Sequence, residues 1–271
     1  MSTTLIDSGR CFETKTIMPR YFLEVSYKGT LYSGFQLQEN ANTIQAEIEK
    51  AIQILQRDKI NITGSSRTDA GVHAAQNFFH FDFEEAINPH FIYKMNAILP
   101  DDIVAKQILP VAADAHCRFD ATSREYNYYI YQHKNPFLKE KAFFFPYKLD
   151  IEKLQQAAAI IKEYKDFTSF SKRKTQAKTF ICKISESKWI KRGDCLIYNV
   201  KANRFLRGMV RALTATMLKM GRGKLSINEF RNIIEAKDCT KASFAVPAQG
   251  LFLLSIKYPD DYFIDKDLFP I

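Results

Sequence analysis

The hydrophobic positions near the start of the chain follow first a strand pattern and then a helix pattern. The segment "YFLEVSY", from Tyr21 to Tyr27, is typical of a β-strand. Asn42, with Gln45 three residues later, marks the start of a helix. Apolar residues then recur on one face of this helix, at Ile44, Ile48, Ala51, Ile52 and Leu55. A strand is therefore followed by an amphipathic helix.

The same part of the chain continues with two strands, a helix and a further strand. A short strand is predicted over residues 60–64. The next is predicted where phenylalanines alternate with polar residues, at Phe79, Phe81 and Phe83. Asn88 and Pro89 form a helix start, and Pro100 ends that helix. Residues 103–109 return as a strand, so the predicted order is β-α-β-β-α-β.

The second part of the chain repeats this order. A strand is predicted from Ser123 to Tyr131, and a helix follows the capping residue Asp150. Strands over residues 179–191 and 194–202 form a hairpin that turns at Gly193. The pattern up to this point matches that of the first half.

Two helices and a strand complete the second half. The first helix has an apolar side, formed by Leu206, Met209, Val210, Leu213, Met217 and Met220. Ser226 and Glu229 form a capping box for a short helix, and residues 250–258 form the last strand. We therefore predict an α+β fold of two ferredoxin-like halves, each with an antiparallel sheet, and a central cleft between them. Such halves leave one sheet face free of helices, as in small RNA-binding domains.

Three regions are predicted along the chain. Residues 1–19 form a flexible N-terminal extension, residues 20–112 the first half and residues 113–271 the second half. The extension is polar, contains Pro19 and lacks the apolar run of a signal peptide. No later segment approaches the length of a membrane span. We therefore expect a cytoplasmic protein with no membrane partner.

The composition indicates a globular protein with a basic surface. Of its 271 residues, 46% are hydrophobic and 25% are charged, which excludes a disordered chain. A formal net charge of +9 attracts phosphate backbones or anionic membranes. The five cysteines occur singly, without the paired spacing of a zinc site, and suit reduced thiols. His73 and His80 are isolated in the sequence, so no metal is predicted.

One glycine-flanked loop, "GSSRTDAGVHAAQ" over residues 64–76, carries candidate chemistry. One explanation of Asp69 is an Asx-type turn, in which its carboxylate accepts backbone N–H groups and Gly71 takes a positive φ angle. The other is a carboxylate held ionised by the nearby Arg67 and available as a nucleophile or base. A single carboxylate argues against ordinary glycoside hydrolysis, which normally needs a pair.

The segment "GSSRTDAGVHAAQNFFHFDF" resembles the signature of tRNA pseudouridine synthases of the TruA class. Further similar segments follow in the family's order, namely "VSYKGTLYSGFQLQENANTIQAEIEKAI", "HCRFDATSREYNYYIY", "YKDFTSFSK", "RFLRGMVRALTATMLKMGRG" and "VPAQGLFLLSIKYP", and the resemblance spans residues 21–259. It implies an isomerase that converts uridine to pseudouridine in the anticodon arm of tRNA. It also implies that the enzyme uses no cofactor and is usually a homodimer.

The resemblance implies roles for two residues of the glycine-flanked loop. Asp69 matches the catalytic aspartate, the nucleophile required for breaking the bond between N1 of the base and C1′ of the sugar. The sequence leaves open whether Asp69 attacks the base ring, attacks the sugar or first takes a sugar proton. Arg67 matches an arginine that helps to flip the target base out of its stack. The alternative is that Arg67 only neutralises Asp69.

Three further matches lie in the second half. Tyr126 matches a tyrosine that lies against the flipped uracil and accepts the C5 proton, with packing on the strand as the alternative. Arg211 matches an arginine that pairs with the catalytic aspartate. Leu251 matches an apolar position near the uracil, or else belongs to the core. We therefore expect Asp69 from one half to meet Tyr126 and Arg211 from the other across the cleft.

Two basic segments are candidates for contacts with tRNA phosphates. Helical spacing places Arg204, Arg207 and Arg211 on one side of the predicted helix. A solvated basic face is the alternative, and we retain it for Arg204. The loop "SKRKTQAK" carries a second basic group, formed by Lys172, Arg173, Lys174 and Lys178. These side chains would either contact phosphates or increase solubility.

The chain departs from the family pattern at Leu37, Gln38, Ser66, Glu125 and Asn127. A negative Glu125 near a phosphate path would lower the affinity for tRNA. Two other functions stay open at this point. One is an RNA-binding module in which Asp69 is only a turn residue, and the other is an RNA nuclease or base-removing glycosylase. Isomerisation, unlike cleavage or base loss, leaves the mass and length of the RNA unchanged.

Overall fold

The computed structural model describes residues 18–84, 87–173, 175 and 177–263. Most of the predicted N-terminal extension, residues 1–17, therefore lies outside the described residues. The first half contains β1 (Arg20–Tyr27), α1 (Ile44–Gln56), β2 (Thr63–Gly64), β3 (His73–Asp82), α2 (Phe91–Ile98) and β4 (Ile103–Val111). This is the predicted β-α-β-β-α-β order.

The second half has the same order, with a short extra strand and an extra helix. It contains β5 (Ser123–Tyr131), β6 (Phe143–Phe144), α3 (Ile151–Ile161), β7 (Ile184–Arg192), β8 (Cys195–Ala202), α4 (Met209–Gly221), α5 (Ile227–Glu235) and β9 (Leu251–Lys257). Each half has the ferredoxin-like strand arrangement, β4-β1-β3-β2 in the first and β9-β5-β8-β7 in the second. The prediction of an α+β fold is confirmed.

The two halves share one sheet. In the described part of the chain, nine strands form it, and the order along its main path is β4-β1-β3-β9-β5-β8-β7. Strands β3 and β9 join the halves by a short parallel pairing, with His73 opposite Phe252 and Ala74 opposite Leu253. All pairings within the two ferredoxin-like arrangements are antiparallel. The two predicted antiparallel sheets are therefore continuous in the structure.

The helices cover one face of this sheet in two separate clusters. On β5, Tyr128 and Ile130 point into a cluster that includes residues of α3, α4 and α5. A second cluster packs α1 and α2 against the strands of the first half. Tyr126, on the same face of β5, packs against both clusters. The boundary between the two helix layers therefore lies above Tyr126.

Two local boundaries differ from the sequence prediction. Thr43, not Asn42, caps α1, because the Thr43 hydroxyl accepts a hydrogen bond of 3.2 Å from the Ala46 amide. The hairpin strand expected from residue 179 begins at Ile184. None of the described helices has the length and apolar character needed to cross a membrane.

Candidate active site

The loop between β2 and β3 is fixed by its buried residues. The Thr68 hydroxyl lies 2.8 Å from the Tyr27 hydroxyl, and both side chains are buried. The Asn77 amide donates to the Tyr27 hydroxyl at 3.2 Å and to the Ser66 carbonyl at 3.0 Å. Ser66 and Thr68 are thus anchored to the sheet, whereas the intervening Arg67 is exposed. Anchoring at alternate residues holds the backbone on either side of Arg67.

The turn that follows Thr68 uses the backbone of Asp69 and not its carboxylate. Gly71 has a φ angle of +77°, as predicted, and the Val72 amide donates to the Asp69 backbone carbonyl at 3.1 Å. Among the described residues, no backbone amide donates to the Asp69 side chain, so the Asx-type turn given as one explanation of Asp69 is not formed there. Gly34 permits a close approach, because a Cβ atom there would lie 3.2 Å from the Ala70 nitrogen.

Within the described residues, three cationic side chains lie around the Asp69 carboxylate, and all three belong to the second half of the chain. Arg211 Nη1 lies 3.7 Å away, and Arg207 Nε and Lys172 Nζ each lie 3.8 Å away. These distances exceed those of direct hydrogen bonds, so the contacts are charge pairs. The Asp69 and Arg211 side chains are each 20% exposed. The carboxylate therefore remains reachable from solvent while it faces three positive charges.

Arg211 is held in place by a second contact. Its Nε and Nη2 atoms both donate to the Val246 carbonyl, at 3.1 and 2.8 Å. The fork of the guanidinium thus leaves Nη1 directed at Asp69. The Tyr128 hydroxyl donates to the adjacent Pro247 carbonyl at 2.7 Å, which ties this segment to β5.

The prediction that Arg204, Arg207 and Arg211 share a helix is wrong. Helix α4 begins at Met209, and Gly208 before it has a φ angle of +74°, which interrupts any helix that approaches from Arg204. The Arg207 side chain nevertheless reaches Asp69 from the segment before the helix. The Arg207 carbonyl accepts a hydrogen bond of 3.0 Å from the Lys172 amide. That bond places Lys172 and Arg207 side by side.

Tyr126 lies where the two helix layers meet. Its ring packs edge-to-face on Phe205, with centroids 5.1 Å apart and planes at 83°. Burial raises the pKa of Tyr126 to about 12, with the charge of Arg124 and a hydrogen bond to Ser66 opposing the rise. The phenol is therefore neutral near pH 7. Ser66 contacts connect Tyr126 to the loop that carries Asp69.

The other predicted site residues form no ion pair with Asp69 in the described part of the chain and lie in different surroundings. Leu251 is buried, lies opposite Tyr128 in the sheet and belongs to the core cluster of the second half. Arg173 is exposed, and Lys174 lies outside the described residues. Arg67 is not among the cations that contact Asp69 in the described part of the chain. Arg67 instead lines a separate cavity.

Some supporting residues were not identified from the sequence. Tyr27, Asn77 and Phe205 have no catalytic pattern of their own, and each acts by positioning another group. Asn77 carried a partial signal, since it is a polar residue directly before the phenylalanine-rich part of the strand, and it is fully buried in the structure. A buried polar side chain requires hydrogen-bond partners, which for Asn77 are Tyr27 and Ser66.

One group of side chains has the donor atoms of a metal site. The ligand atoms of His80, His116 and Cys117 lie within 4.8 Å of one another, so His80 is not isolated in the fold. Burial raises the pKa of the Cys117 thiol to about 12, so the thiol is protonated near pH 7 and can donate a hydrogen bond. The thiol donates to the Thr63 carbonyl at 3.1 Å, and His80 Nδ1 accepts from the Cys117 amide at 3.3 Å. These hydrogen bonds hold His80 and Cys117 together, and the His116 ring packs on His80 with centroids 4.7 Å apart.

Comparisons with known proteins agree on one family. The family model described as tRNA pseudouridine synthase matches residues 24–120 and 164–259. The tRNA pseudouridine synthase A of Parabacteroides distasonis is 46% identical over 252 residues, which cover 92% of this chain and 100% of that protein. The protein of the same name from Porphyromonas gingivalis is 42% identical over 91% of this chain and 100% of its own length. That of Staphylococcus aureus strain N315 is 37% identical over 92% and 94%.

Proposed function

The chain belongs to the tRNA pseudouridine synthase family, and we propose that it isomerises uridine to pseudouridine in the anticodon stem-loop of tRNA. The observation that carries the proposal is the Asp69 carboxylate, which projects from an anchored loop of one half and faces three cations of the other. A carboxylate that is reachable, fixed and free of hydrogen bonds is suited to act as a nucleophile. Relatives that share this family name over almost their whole length support the same reaction.

In the proposed reaction, Asp69 is the catalytic nucleophile. The bond between N1 of uracil and C1′ of the sugar breaks, the base turns, and C5 forms the new bond to C1′. The C5 hydrogen leaves as a proton and N1 acquires one, so the product is an isomer of the substrate. The arrangement is compatible with attack on the ring, attack on the sugar or initial removal of a sugar proton. Arg211 keeps the carboxylate oriented through any of these steps.

Tyr126 is proposed to lie against the flipped uracil. Its ring is fixed by Phe205 and lies at the boundary between the helix layers, where a base entering the cleft would meet it. The proposed transfer of the C5 proton to its hydroxyl needs activation, because the phenol is neutral in the free protein. Leu251 is proposed to add an apolar contact for the base from within the same core.

The remaining basic residues are proposed to bind the RNA. The Arg207 side chain is 62% exposed and that of Lys172 is 37% exposed, so both can contact phosphates while they face Asp69. Arg173 is exposed beside them, and Lys174 keeps the role suggested by its sequence position. Arg67 is proposed to help to displace the target base, because its side chain is exposed and is not engaged with Asp69 in the described part of the chain.

The broader setting of the enzyme is also a proposal. From the family resemblance we propose a homodimer that acts in the cytoplasm. Isomerisation needs no oxidant, reductant or group donor, so the proposed reaction calls for no cofactor. The two alternatives predict different products: an RNA-binding module leaves the RNA unchanged, and a nuclease or glycosylase alters its length or mass.

The proposal is tested by incubating the protein with unmodified tRNA transcripts and digesting the RNA to nucleosides. Chromatography should reveal pseudouridine in place of uridine, while the intact RNA keeps its mass and length. Asp69→Asn should bind tRNA and form no pseudouridine. RNA that is shortened or has lost a base would contradict the proposal, as would RNA that is bound and recovered unchanged by the wild-type protein.

A further inference from the structure

A cavity lies beside the loop that carries Asp69, and Gly64 and Arg67 of that loop line it. Its volume is about 210 Å³, and its lining includes Phe35, Gln36, Gly64, Arg67, Arg118 and Phe119. Asp69, two residues after Arg67, faces the cations of the second half instead. One loop therefore presents a carboxylate to one site and an arginine to another. Two residues of extended chain span roughly 7 Å, so the two sites are close neighbours.

The most exposed aromatic residue of this cavity is Phe119. Its side chain is 74% exposed, although its ring packs on His116 with centroids 4.2 Å apart. The guanidinium of Arg118 lies 5.8 Å from the centre of the Phe119 ring. An exposed ring that a neighbouring side chain supports is a stacking surface for an unpaired base. Burial in the core does not explain the position of Phe119.

Positive charge is concentrated around Arg118, whose guanidinium lies near the Phe119 ring. Burial, together with the charges of Arg67, Arg124 and Arg204, lowers the pKa of Arg118. Within the described residues, none of these four arginines forms an ion pair with a carboxylate. Arg124 is buried and donates to backbone carbonyls only. The exposed Arg67 therefore adds to an unneutralised positive charge that a phosphate would compensate.

The cavity also offers hydrogen-bonding groups for a base edge. Gln45 holds the neighbouring backbone, because its side chain accepts from the Leu37 amide at 3.1 Å and donates to the Ile62 carbonyl at 3.2 Å. Gln36 is exposed at the cavity, and its side chain has no hydrogen bond within the described residues. An amide group can both donate to and accept from a base. The lining thus combines a ring, arginines and a free amide.

We propose that this cavity, the Phe119 pocket, binds an unstacked nucleotide of the tRNA that neighbours the target uridine. Its base stacks on Phe119, its phosphate lies between Arg67 and Arg118, and Gln36 contacts the base edge. The inference rests on the proposed function for the identity of the RNA. Its consequence is that Arg67 acts on the strand beside the target, where it holds a neighbouring nucleotide out of the stack while the uridine reaches Asp69.

The test is a binding cycle between protein and RNA variants. Kd is measured for wild type and Phe119→Ala with an anticodon stem-loop, intact or with one abasic nucleotide at each position flanking the target uridine. Phe119→Ala should bind the intact RNA about 10- to 100-fold more weakly, the loss expected for one stacked base. At one flanking position, the abasic RNA should bind wild type as weakly as the intact RNA binds Phe119→Ala. Phe119→Ala should not weaken the binding of that abasic RNA further. Phe119→Trp, which keeps an aromatic ring, should bind the intact RNA as tightly as wild type, unlike Phe119→Ala.

Phe137→Ala is the matched control, because Phe137 is 85% exposed and does not line the cavity. It should leave every Kd unchanged. An unchanged Kd for Phe119→Ala with the intact RNA would overturn the proposal. So would independent effects at every flanking position, where the fold-change in Kd from Phe119→Ala multiplies the fold-change from the abasic nucleotide. Tight binding of free uridine monophosphate that Phe119→Ala abolishes would also overturn it, since it would indicate a mononucleotide site.

The outcome is independent of the proposed chemistry. If Phe119→Ala and one abasic position have non-additive effects on Kd but wild type forms no pseudouridine, the pocket is supported and the proposed function is wrong. If wild type forms pseudouridine but the two changes have independent effects on Kd, only the pocket is wrong. Because Phe119 is largely exposed, its replacement by alanine removes little buried surface, and the variant is expected to fold.

Discussion

Arg211 joins the Asp69 carboxylate to a backbone carbonyl of its own half, with Nη1 3.7 Å from Asp69 and Nη2 2.8 Å from the Val246 oxygen. A planar guanidinium can make both contacts at once because its donors point in different directions. A lysine ammonium on a flexible chain cannot reproduce this bridge. The position of the carboxylate thus depends on the shape of the cation as well as on its charge.

Arg211→Lys is therefore expected to lower kcat by about 100-fold or more, the usual effect of losing one oriented charge contact at a reacting centre. KM for tRNA should change little, because the Arg211 side chain is only 20% exposed. The check is steady-state kinetics over a range of tRNA concentrations, with single-turnover rates at excess enzyme to isolate the chemical step. Arg207→Lys is the matched control, and its loss should stay within about tenfold because an exposed charge pair tolerates either cation. Equal effects from the two variants would contradict the role given to Arg211.

Tyr126→Phe removes the hydroxyl and keeps the aromatic ring, so it tests the two groups separately. Phe keeps the surface that packs on Phe205, so tRNA binding should be retained. If the hydroxyl accepts the C5 proton, turnover should fall by about 100-fold or more, as for loss of a general base. Full turnover in Tyr126→Phe, measured by release of the C5 hydrogen, would rule out the hydroxyl as proton acceptor and leave the ring as a stacking surface.

The same variant has an expected effect on alkaline stability. Burial raises the pKa of Tyr126 to about 12, above that of an exposed tyrosine, so the folded protein holds this proton more tightly than the unfolded chain. Stability is therefore present in full below about pH 10 and falls as pH rises toward 12, by up to about 1.4 kcal/mol per pH unit. Tyr126→Phe should show a smaller drop in Tm between pH 8 and pH 11 than wild type. An identical drop would contradict this.

Asn77→Ala should uncouple the anchored loop from the sheet. It removes the donor to the Ser66 carbonyl and to the Tyr27 hydroxyl, both in buried surroundings. The expected loss of folding stability is about 1–3 kcal/mol, for the hydrogen bonds and the groups left unpaired. Because the same loop carries Asp69, kcat should fall more than tRNA affinity does. Denaturant unfolding and kinetics measure the two effects, and a loss of affinity alone would contradict the positioning role.

Lys172→Ala and Arg173→Ala should weaken tRNA binding in a salt-dependent way. Each phosphate contact that is lost reduces the slope of log K against log salt by about 1. Lys172→Ala should also alter kcat, because Lys172 lies 3.8 Å from Asp69, whereas Arg173→Ala should not. Titrations at several salt concentrations decide this. An unchanged slope in both variants would mean that these side chains serve solubility.

Local signals in the sequence predicted many elements of the fold. The strand from Ser123 to Tyr131 has the predicted bounds, and the capping box of Ser226 and Glu229 is present with both of its hydrogen bonds. The positive φ angle of Gly71 was also predicted. Each of these depends on residues within a few positions of one another, where propensity and hydrogen bonding act directly.

The features that were not predicted depend on residues far apart in the chain. The parallel pairing of His73 with Phe252 joins the two predicted sheets into one. It brings together segments separated by about two thirds of the chain, and no local pattern encodes it. Arg207 was assigned to a helix because its spacing from Arg211 is helical, but Gly208 breaks that helix. Arg67 was paired in prediction with Asp69, its close neighbour. Within the described residues, however, Asp69 pairs with cations from far along the chain, and Arg67 lines a separate cavity.

The family resemblance supplied what spacing could not. It indicated Asp69, Tyr126 and Arg211 together, and the structure brings Asp69 and Arg211 into contact across the two halves. The roles of these residues remain proposals that the variants above test. The family itself is established by the matches to residues 24–120 and 164–259 and by the related proteins.

The most direct test of the account is tritium release from tRNA transcripts labelled at uridine C5, with wild type beside Asp69→Asn. Formation of the new bond from C5 to C1′ must expel that hydrogen, whatever the order of the earlier steps. We predict release by wild type and none by Asp69→Asn, with tRNA binding retained in the variant. Release by Asp69→Asn at the wild-type rate, or no release by wild type from any tRNA that it binds, would contradict the account.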